Sequence, residues 1–358
     1  MLKLSVVVGA RPQFVKAAAL HHAWKADFQE HIQWELIHTG QHYDQAMSGR
    51  FFEELCLSPP NHGLHIHGVG PVDTVADMSK ALSTYYGQQR PDVVLVFGDT
   101  HSTLSAALTA AGLSIPLAHV EAGLRSFRRD MPEEQARVVT DHLSHWLFAP
   151  SAQAMDQLRR EGLTEKPDTF CREVGDIMLD AARIFSDAAS TKESNGPILA
   201  TLHRNFNTDQ PERLAAALAR MQDTAAWTRR KIHFVVHPRT QKAMDFFGLQ
   251  PGKDLVLVPP MGYRETLAAI QHAPFVLTDS GGLQKEAFFL GKRSICFRPE
   301  SEWRELVSSG WVLCPDLDAM AWQQAVQTIQ TTPNPVQGHW YGKGEAGKQI
   351  LSSLLSPH

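Results

Sequence analysis

Short apolar runs alternate with amphipathic stretches along almost the whole chain. The runs Leu4–Val8, Val93–Phe97 and Leu255–Val258 are apolar at nearly every position, whereas a strand with one face in water would alternate apolar and polar residues. The stretches Pro12–Ala23 and Pro211–Met221 between such runs have the length and pattern of helices. Strands buried on both faces and separated by helices predict parallel sheets with helices on both sides.

The predicted strands fall into one series in each half of the chain. The first series comprises Leu4–Val8, Glu35–His38, Val93–Phe97, Pro116–Val120 and Trp146–Phe148, and the second comprises Pro197–Thr201, His233–Val236, Leu255–Val258, Phe275–Thr278, Ser294–Phe297 and Trp311–Leu313. Between them, the stretch Ser186–Gly196 contains no large apolar residue. We therefore predict two doubly wound α/β domains, residues 1–172 and 173–339, and a last helix at about Gly344–Leu355.

The composition is that of a globular protein without a nucleic-acid surface. A chain of 358 residues is longer than one ordinary domain, and a formal net charge of -4 offers no basic patch for DNA or RNA. The apolar run Leu2–Val8 is too short to span a membrane and leads directly into Gly9–Pro12, so we interpret it as a buried first strand. The four cysteines include no CxxC pair, which predicts reduced, buried thiols in a cytoplasmic protein.

The residues that follow each strand are the first candidates for function, because ligands of open parallel sheets bind beyond the carboxyl ends of the strands. After the first strand, Arg11 stands at a predicted helix N-terminus, and Lys16 lies one turn further. A cation at that end of a helix opposes the helix dipole unless an anion such as phosphate also binds there. The pair therefore indicates a phosphate site, although a solvated arginine would also explain Arg11.

Two carboxylates follow neighbouring predicted strands. Asp99 would cap the next helix, unless Thr100 caps that helix and leaves Asp99 available. Glu121 has no such capping role, although an ion pair with Arg125 would also explain it. Acid/base chemistry needs groups whose neighbours shift their pKa values, and carboxylates gathered at one sheet edge meet that need.

A third carboxylate, Glu133, opens the next predicted helix. With Asp130 it fits a capping box, and acidic residues in a first turn favour the helix dipole. Glu133 is therefore a candidate catalytic residue only if Asp99 and Glu121 lie at the same site in the folded protein.

The second half of the chain carries the pattern of a diphosphate site. The strand Phe275–Thr278 runs into the turn Ser280–Gly282, and a helix begins at once. Glycines allow a close approach of the backbone, and free amide groups at a helix start bind phosphate. Glu286, one turn into this helix, is placed to accept hydrogen bonds from ribose hydroxyls. Another predicted strand ends in His203 and Arg204, which add an imidazole and a cation.

Two familiar motifs do not fit their context. Residues Gly342–Gly347 match G-x-G-x-x-G, but no strand precedes them, and Gln349 replaces the Ser or Thr that a P-loop requires. The histidines His62, His65 and His67 have no fourth ligand nearby. We therefore predict neither a metal site nor a nicotinamide cofactor.

Together these segments resemble the non-hydrolysing UDP-N-acetylglucosamine 2-epimerases. The resemblance rests on GARPQFVKAAAL, HTGQHYD, FGDTHSTL, HVEAGLRSF, MPEEQAR, TLHR, HPRT, TDSGGLQKEAFFLG and the segment around Trp303 and Trp311, in the family's order. The matching segments extend from Val8 to about Gly347. The resemblance implies a glycosyltransferase-B-like fold, with two Rossmann-like domains facing across a cleft and residues 340–358 returning to the first domain.

The resemblance also implies roles for individual residues. The family's catalytic groups correspond to Asp99, Glu121, Glu133 and His203, and its substrate-binding residues correspond to Arg11, Lys16, Arg137, Arg204, His237, Ser280, Gly281, Gly282, Glu286 and Arg298. It further implies a cytoplasmic homodimer that serves polysaccharide biosynthesis, binds a UDP-sugar, and uses no metal or cofactor.

Inversion at C2 of an N-acetyl sugar is chemically demanding, and these residue types suit it. The proton on C2 is not next to a carbonyl group, so simple deprotonation is difficult. In an elimination, a base removes this proton while UDP leaves C1, and UDP then adds back to the 2-acetamidoglucal with protonation from the opposite face. This route needs acid/base groups on both faces and firm retention of UDP.

The chain departs from the common family pattern at several positions. Asn205 and Phe206 follow Arg204 where many members carry a charged residue, and Trp303 replaces an arginine. The change at Trp303 resembles a branch that acts on UDP-2,3-diacetamido-2,3-dideoxyglucuronate, which competes with UDP-N-acetylglucosamine as the expected substrate. Three further activities compete with the non-hydrolysing epimerase: a hydrolysing 2-epimerase that releases N-acetylmannosamine, a glycosyltransferase with the same donor site, and a sugar-nucleotide sensor.

Overall fold

The computed structural model describes residues 1–40, 52–64, 66, 70–187 and 194–356. The chain divides into two compact units. Unit 1 comprises Met1–Ile184 and His339–His358, and unit 2 comprises Phe185–Gly338. Each unit has its own parallel sheet, connected through helices, so the predicted α/β class with two Rossmann-like sheets is confirmed.

The sheet of unit 1 has seven parallel strands in the order β3-β2-β1-β4-β5-β6-β7. The strands are β1 Leu2–Val8, β2 Ile32–His38, β3 His62–Gly63, β4 Val93–Phe97, β5 Leu117–Val120, β6 Trp146–Ala149 and β7 Phe170–Glu173. From β1 the chain continues through β2 to β3 at one edge of the sheet, and β4 then lies on the other side of β1. This reversal creates a switch point between β1 and β4, and open parallel sheets bind ligands at such points. Arg11 and Asp99 follow β1 and β4 there, and Glu121 follows β5, the next strand along.

The helices of unit 1 bring small side chains against this sheet. Those before the domain division are α1 Arg11–Asp27, α2 Pro71–Gln88, α3 His101–Gly112, α4 Pro132–Leu143, α5 Ala152–Arg160 and α6 Ile177–Phe185. In α3, Ala106, Ala107 and Ala110 are fully buried in one cluster with Val94 and Val96 of β4. Alanine keeps a high helix propensity and lets a helix approach a sheet closely. This packing fixes the start of α3 at the carboxyl edge of the sheet.

Unit 2 repeats the pattern with six parallel strands in the order β10-β9-β8-β11-β12-β13. The strands are β8 Ile198–Leu202, β9 Ile232–Val236, β10 Leu255–Val258, β11 Val276–Thr278, β12 Ser294–Cys296 and β13 Val312–Leu313, and the helices are α7 Asn205–Thr208, α8 Pro211–Thr228, α9 Pro238–Phe247, α10 Tyr263–His272, α11 Gly281–Phe289, α12 Arg304–Ser308 and α13 Ala319–Thr331. In its core, Phe297 stacks on Trp322 with ring centroids 5.0 Å apart. The switch point lies between β8 and β11, so His203 and Asp279 follow the two strands that define it.

The last helix, α14 Ala346–Leu355, belongs to unit 1 although it ends the chain. The backbone N–H of Gly347 donates to Asp180 Oδ2 at 2.8 Å, and Asp180 lies in α6. This bond ties α6 to the C-terminal segment. The structural division therefore falls after Ile184, later than the boundary placed after residue 172 from the sequence.

Some features of the fold have no clear pattern in the sequence. All predicted strands are present within a few residues, but β3 has only two residues and β7 is half-buried or exposed, so neither produces an apolar run. The prediction of buried thiols is confirmed for Cys296 alone, since Cys56 is exposed and Cys171 and Cys314 are half-buried.

Candidate active site

Glu121 begins the loop after β5 in an unusual backbone conformation. Its φ is +71°, in the left-handed region that non-glycine residues rarely adopt, and its side chain is buried. The carboxylate forms an ion pair with Lys16 Nζ. Gly98, also left-handed, leaves room for this pair, because a Cβ there would lie 3.2 Å from Glu121 Oε2 and 3.5 Å from Lys16 Nζ. Backbone strain costs about 1–3 kcal/mol and is typical of functional positions.

Arg125 does not pair with Glu121, so the structural alternative that the sequence left open for Glu121 is not the arrangement observed. Arg125 instead pairs with Asp141 at 2.7 Å and with Glu161 at 2.7 Å. Burial opposes ionisation of Asp141, but His119 and then Arg125 hold the pKa of this carboxyl below its usual range. Arg125 therefore belongs to a buried charged network behind the loop, and Lys16 is the cation beside Glu121.

Asp99 is available for chemistry because Thr100 caps α3. Thr100 Oγ1 accepts a hydrogen bond from the backbone N–H of Thr103 at 3.3 Å, which is one of the two capping arrangements that the sequence predicts. Asp99 forms an ion pair with Arg137 Nη2. At two neighbouring strand ends, a carboxylate thus lies beside a cation.

Gln13 is a buried residue of this region that the sequence pattern does not single out. Its side-chain oxygen accepts from the backbone N–H groups of Gly9 at 2.8 Å and Ala10 at 3.1 Å. Its side-chain nitrogen donates to the Phe97 carbonyl at 2.9 Å and to Thr103 Oγ1 at 2.9 Å. An amide group can donate and accept at once, so one side chain holds the loops after β1 and β4 together.

The capping box predicted for Asp130 and Glu133 is wrong. α4 begins at Pro132 with Met131 as its N-cap, and Asp130 pairs with Arg128 at 2.8 Å. A capping residue must immediately precede the helix, so Asp130 stands one position too early. Glu133 is exposed in the first turn of α4, where no capping role accounts for it.

The next residue, Glu134, is the buried acid of this turn and holds the preceding loop. Its carboxylate accepts from the Ser126 N–H at 2.7 Å, from Ser126 Oγ at 2.9 Å and from the Phe127 N–H at 3.0 Å. Phe127 is thereby held with φ +58°, and 71% of its surface is exposed. A large apolar side chain is thus presented to solvent on a strained backbone.

Replacing Phe127 with glycine is expected to raise the melting temperature. Relief of left-handed strain at a non-glycine residue is worth about 1–2 kcal/mol, which exceeds the entropic cost of about 0.5–1 kcal/mol that glycine brings. Differential scanning calorimetry measures the change. The matched control is Phe246→Gly, since Phe246 is also exposed but lies inside α9, where glycine should lower the melting temperature. A lower melting temperature for Phe127→Gly would contradict the strain argument.

Asp279 organises the corresponding edge of unit 2. This fully buried carboxylate accepts from the backbone N–H of His203 at 3.1 Å, from the N–H of Arg204 at 2.9 Å and from Asn207 Nδ2 at 3.0 Å. It also lies 3.3 Å from His203 Nδ1. Asp279 directly precedes Ser280, the N-cap of α11, and this position in the sequence could have identified it as a candidate.

The imidazole of His203 lies among cations. Burial is the main cause that lowers the pKa of His203; the charge of Asp279 opposes this shift, and Arg204, His237 and Arg298 reinforce it. A lowered pKa favours the neutral imidazole near pH 7. His203 is thus suited to accept a proton from an acidic group.

The turn Ser280–Gly282 opens α11 as predicted. Ser280 Oγ accepts from the Leu283 N–H at 3.4 Å and caps the helix. A Cβ on Gly281 would lie 2.0 Å from Glu302 Oε1, so a larger residue there would displace the Glu302 carboxylate. A Cβ on Gly282 would have Ser280 Oγ as its nearest neighbour, at 3.8 Å. Packing therefore does not explain Gly282, and the space beside it is open to a ligand.

Arg298 and Trp303 flank this turn. Arg298 Nη2 donates to Glu302 Oε2 at 2.6 Å, which fixes the guanidinium beside the side chain that contacts Gly281. Trp303 Nε1 donates to the Gly281 carbonyl at 2.8 Å. Lys285 Nζ lies 4.3 Å from the centroid of the Trp303 ring. Trp303 therefore braces the helix start.

The remaining predicted residues occupy varied positions. Arg11, rather than Pro12, is the first residue of α1, and it is exposed. His237 caps α9, since its Nδ1 accepts from the Arg239 N–H at 3.2 Å. Glu286 is buried within α11. His237 thus has a structural role in addition to the binding role implied by the resemblance.

The described part of the chain contains no group of three His, Cys, Asp or Glu side chains arranged to hold a metal ion. His65 and His67, and most of the HTGQHYD segment, lie outside the described residues. Within the same described ranges, no helix combines the length and apolar character needed to cross a membrane.

Two parallel sheets, each with polar and charged residues gathered at its switch point, define an α/β protein of the two-domain Rossmann-like class. The UDP-N-acetylglucosamine 2-epimerase family matches residues 25–355. The UDP-2,3-diacetamido-2,3-dideoxy-D-glucuronate 2-epimerase of Pseudomonas aeruginosa is 39% identical over 99% of both chains, and the UDP-N-acetylglucosamine 2-epimerase of Methanocaldococcus jannaschii is 35% identical over 99% of both. A crystal structure of the M. jannaschii enzyme with UDP-GlcNAc and UDP superposes with a TM-score of 0.86 at 34% identity, covering 99% of each chain.

The chain therefore belongs to the UDP-N-acetylglucosamine 2-epimerase family. The resemblance noted from the sequence is confirmed by the family match, by the full-length similarity to named epimerases and by the fold.

Proposed function

We propose that this protein is a non-hydrolysing 2-epimerase that interconverts UDP-N-acetylglucosamine and UDP-N-acetylmannosamine. The observation that carries the proposal is Glu121, a strained and buried carboxylate paired with Lys16 at the switch point of unit 1. Family membership and the named activity of the M. jannaschii relative support the same reaction. Backbone strain is typical of functional positions, and a buried carboxylate beside a lysine suits proton transfer.

The proposed reaction is an elimination followed by addition. A base takes the proton from C2 as the C1–O bond breaks, so that UDP leaves with the electron pair and 2-acetamidoglucal forms. UDP then re-forms the bond to C1 while an acid delivers a proton to C2 from the opposite face. Asp99, Glu121 and Glu133 are the proposed acid/base groups of unit 1, and His203 is that of unit 2.

We assign the nucleotide to unit 2. The amide groups of Gly281 and Gly282 would hold the diphosphate at the start of α11, with Arg298 and Arg204 as cations nearby, whereas the Ser280 N–H donates to Thr278 Oγ1 at 3.0 Å. Glu286 would accept hydrogen bonds from the ribose. The proposed substrate contacts also include His237 and, from unit 1, the cations Arg11, Lys16 and Arg137.

A second candidate substrate is UDP-2,3-diacetamido-2,3-dideoxyglucuronate. The specific observation in its favour is the 39% identity, over 99% of both chains, with the P. aeruginosa enzyme named for that substrate. Its reaction would be the same inversion at C2, so the assigned residues do not change. The substituents on C3 and C6 decide between the two substrates.

The direct test is a product assay with purified protein and each UDP-sugar in turn. Anion-exchange chromatography separates the epimeric UDP-sugars from free UDP. A new UDP-sugar without UDP supports the proposal, and turnover of the diacetamido-glucuronate alone selects the second substrate. Release of UDP and free N-acetylmannosamine would favour a hydrolysing enzyme, and no turnover of either substrate would contradict the proposal.

Replacing Gly282 with alanine should weaken UDP binding by about tenfold or more without lowering stability. The free protein has space for the added methyl group, but a diphosphate at the helix start would meet it. Isothermal titration calorimetry measures the affinity, and Gly112→Ala is the control because its Cβ would have no neighbour within 4 Å. Unchanged affinity in Gly282→Ala would place the diphosphate elsewhere.

The proposal includes a cytoplasmic homodimer that serves polysaccharide biosynthesis, as the resemblance implies. Sedimentation equilibrium of the purified protein checks the homodimer.

A further inference from the structure

His119 is a fully buried histidine that uses both ring nitrogens. It lies in β5, two residues before Glu121. Its Nε2 is 2.8 Å from the carbonyl oxygen of Gly98, the residue before Asp99. Its Nδ1 is 2.6 Å from Asp141 Oδ1. One side chain therefore connects the loop that carries Asp99 to an acid of α4.

The partners of this ring determine where its protons are. The Gly98 carbonyl oxygen can only accept, so Nε2 must carry a hydrogen. The other oxygen of Asp141 accepts from the Gly123 N–H at 3.0 Å and lies 2.7 Å from Arg125 Nη1. Burial raises the pKa of Asp141, but His119, Arg125 and the Gly123 N–H together hold it below the usual range. Asp141 is thus an ionised acceptor, and Nδ1 must carry a hydrogen as well.

We infer that His119 is a buried imidazolium that positions the two loops bearing Asp99 and Glu121. Its Nε2 hydrogen holds Gly98, and its Nδ1 hydrogen holds Asp141, which in turn fixes the Gly123 N–H in the turn after Glu121. This inference rests on the proposed function, because the positions of the two loops matter for catalysis only if Asp99 and Glu121 are catalytic residues.

The network balances its charges. The cations His119 and Arg125 face the carboxylates Asp141 and Glu161. The titratable groups at its margin are His142, 3.5 Å from Glu161, and the Cys171 thiol, whose pKa is raised to about 11 mainly by burial and also by Asp141. A buried charge is costly unless it is paired and hydrogen-bonded, and each of these four charged groups is paired.

Neither a neutral imidazole nor an apolar side chain could make the same connections. A neutral imidazole has one N–H, so it could hold Gly98 or Asp141, but not both. An apolar side chain would satisfy the burial of β5, yet it would leave Asp141 and the Gly98 carbonyl without this donor. Small misplacements of reacting groups cost about 100-fold in rate. Holding the loops of Gly98 and Glu121 in place therefore offsets the cost of burying an imidazolium.

The first test is nitrogen-15 NMR of the full-length wild-type protein labelled at histidine. The His119 signals are identified by resonance assignment of the wild-type protein, which does not depend on any variant. We expect both ring nitrogens of His119 to show the shifts of protonated nitrogens. A signal from an unprotonated ring nitrogen would overturn the inference. This readout requires no turnover, so it stands apart from the proposed activity.

The second test is kinetic. His119→Gln puts one donor nitrogen and one acceptor oxygen in place of two donor nitrogens. We therefore expect kcat to fall about 100-fold while KM and the calorimetric affinity for UDP stay within about twofold. The control is His145→Gln, an exposed histidine next to β6, which should retain full kcat. Full activity in His119→Gln would contradict the positioning role. If that variant does not fold, the wild-type NMR result decides, and a wild-type protein inactive on every UDP-sugar would count against the proposed function instead.

Discussion

Replacing Glu121 with glutamine is expected to abolish epimerisation while UDP still binds. Glutamine has the same shape and places the same demand on the left-handed backbone, so the change removes the proton-transfer function and also takes the charged partner from Lys16. A positioned acid or base contributes about 100-fold to 10,000-fold in rate, and a reaction with transfers on two faces should be at least as sensitive. The rate is measured by chromatography of the two epimeric UDP-sugars.

The corresponding variants Asp99→Asn and Glu133→Gln should also lose epimerisation and retain UDP binding. Glu165→Gln is the matched control, because Glu165 is an exposed acid of the same unit and should keep full activity. An active Glu121→Gln enzyme would refute the catalytic assignment. Loss of UDP binding together with activity would instead point to a disturbed fold or to a binding role.

Replacing Asp279 with alanine is expected to lower the free energy of unfolding of unit 2 by about 3–5 kcal/mol. The variant would leave two backbone N–H groups, those of His203 and Arg204, and the amide of Asn207 without their acceptor. Buried donors that lose a charged acceptor retain their full desolvation cost. The same change frees the imidazole of His203 from its carboxylate neighbour. UDP binding should therefore weaken along with stability.

Urea denaturation followed by fluorescence measures this loss. The control is Asp209→Ala, because Asp209 pairs with Arg239 at 2.8 Å but both side chains are about half exposed. Exposed ion pairs contribute little, so the control should change the midpoint only slightly. A shift in Asp279→Ala no larger than that of the control would show that the buried carboxylate does not organise this edge.

The positions of the candidate site residues could be predicted because they follow from the pattern of apolar residues along the chain. Apolar runs place the strands, strands of a parallel sheet end at one edge, and Asp99, Glu121, His203 and Ser280 each follow a strand. Of the two caps that the sequence left open for α3, Asp99 and Thr100, the structure has Thr100. Sequence patterns were sufficient where a contact joins residues close in sequence, as in a helix cap, or where the same strand-to-helix connection recurs along the chain.

The partners of these groups could not be predicted, because they lie far away along the chain. Gln13 reaches Phe97, His119 reaches Asp141, and both contacts exist only after strands and helices have packed. The capping box at Asp130 failed by one residue, since helix starts are poorly fixed by sequence alone. The left-handed backbone of Glu121 likewise has no local signal, because it is imposed by the packing around the residue.

The most direct measurement is proton NMR of the purified protein in D2O with UDP-N-acetylglucosamine, run beside the diacetamido-glucuronate. Removal and return of the C2 proton must exchange it with solvent, so the account predicts deuterium at C2 as the signal of the 2-epimer grows. An epimer that forms with its original C2 proton would contradict proton removal and exchange at that carbon. Free sugar and UDP without an epimeric UDP-sugar would contradict the non-hydrolysing reaction.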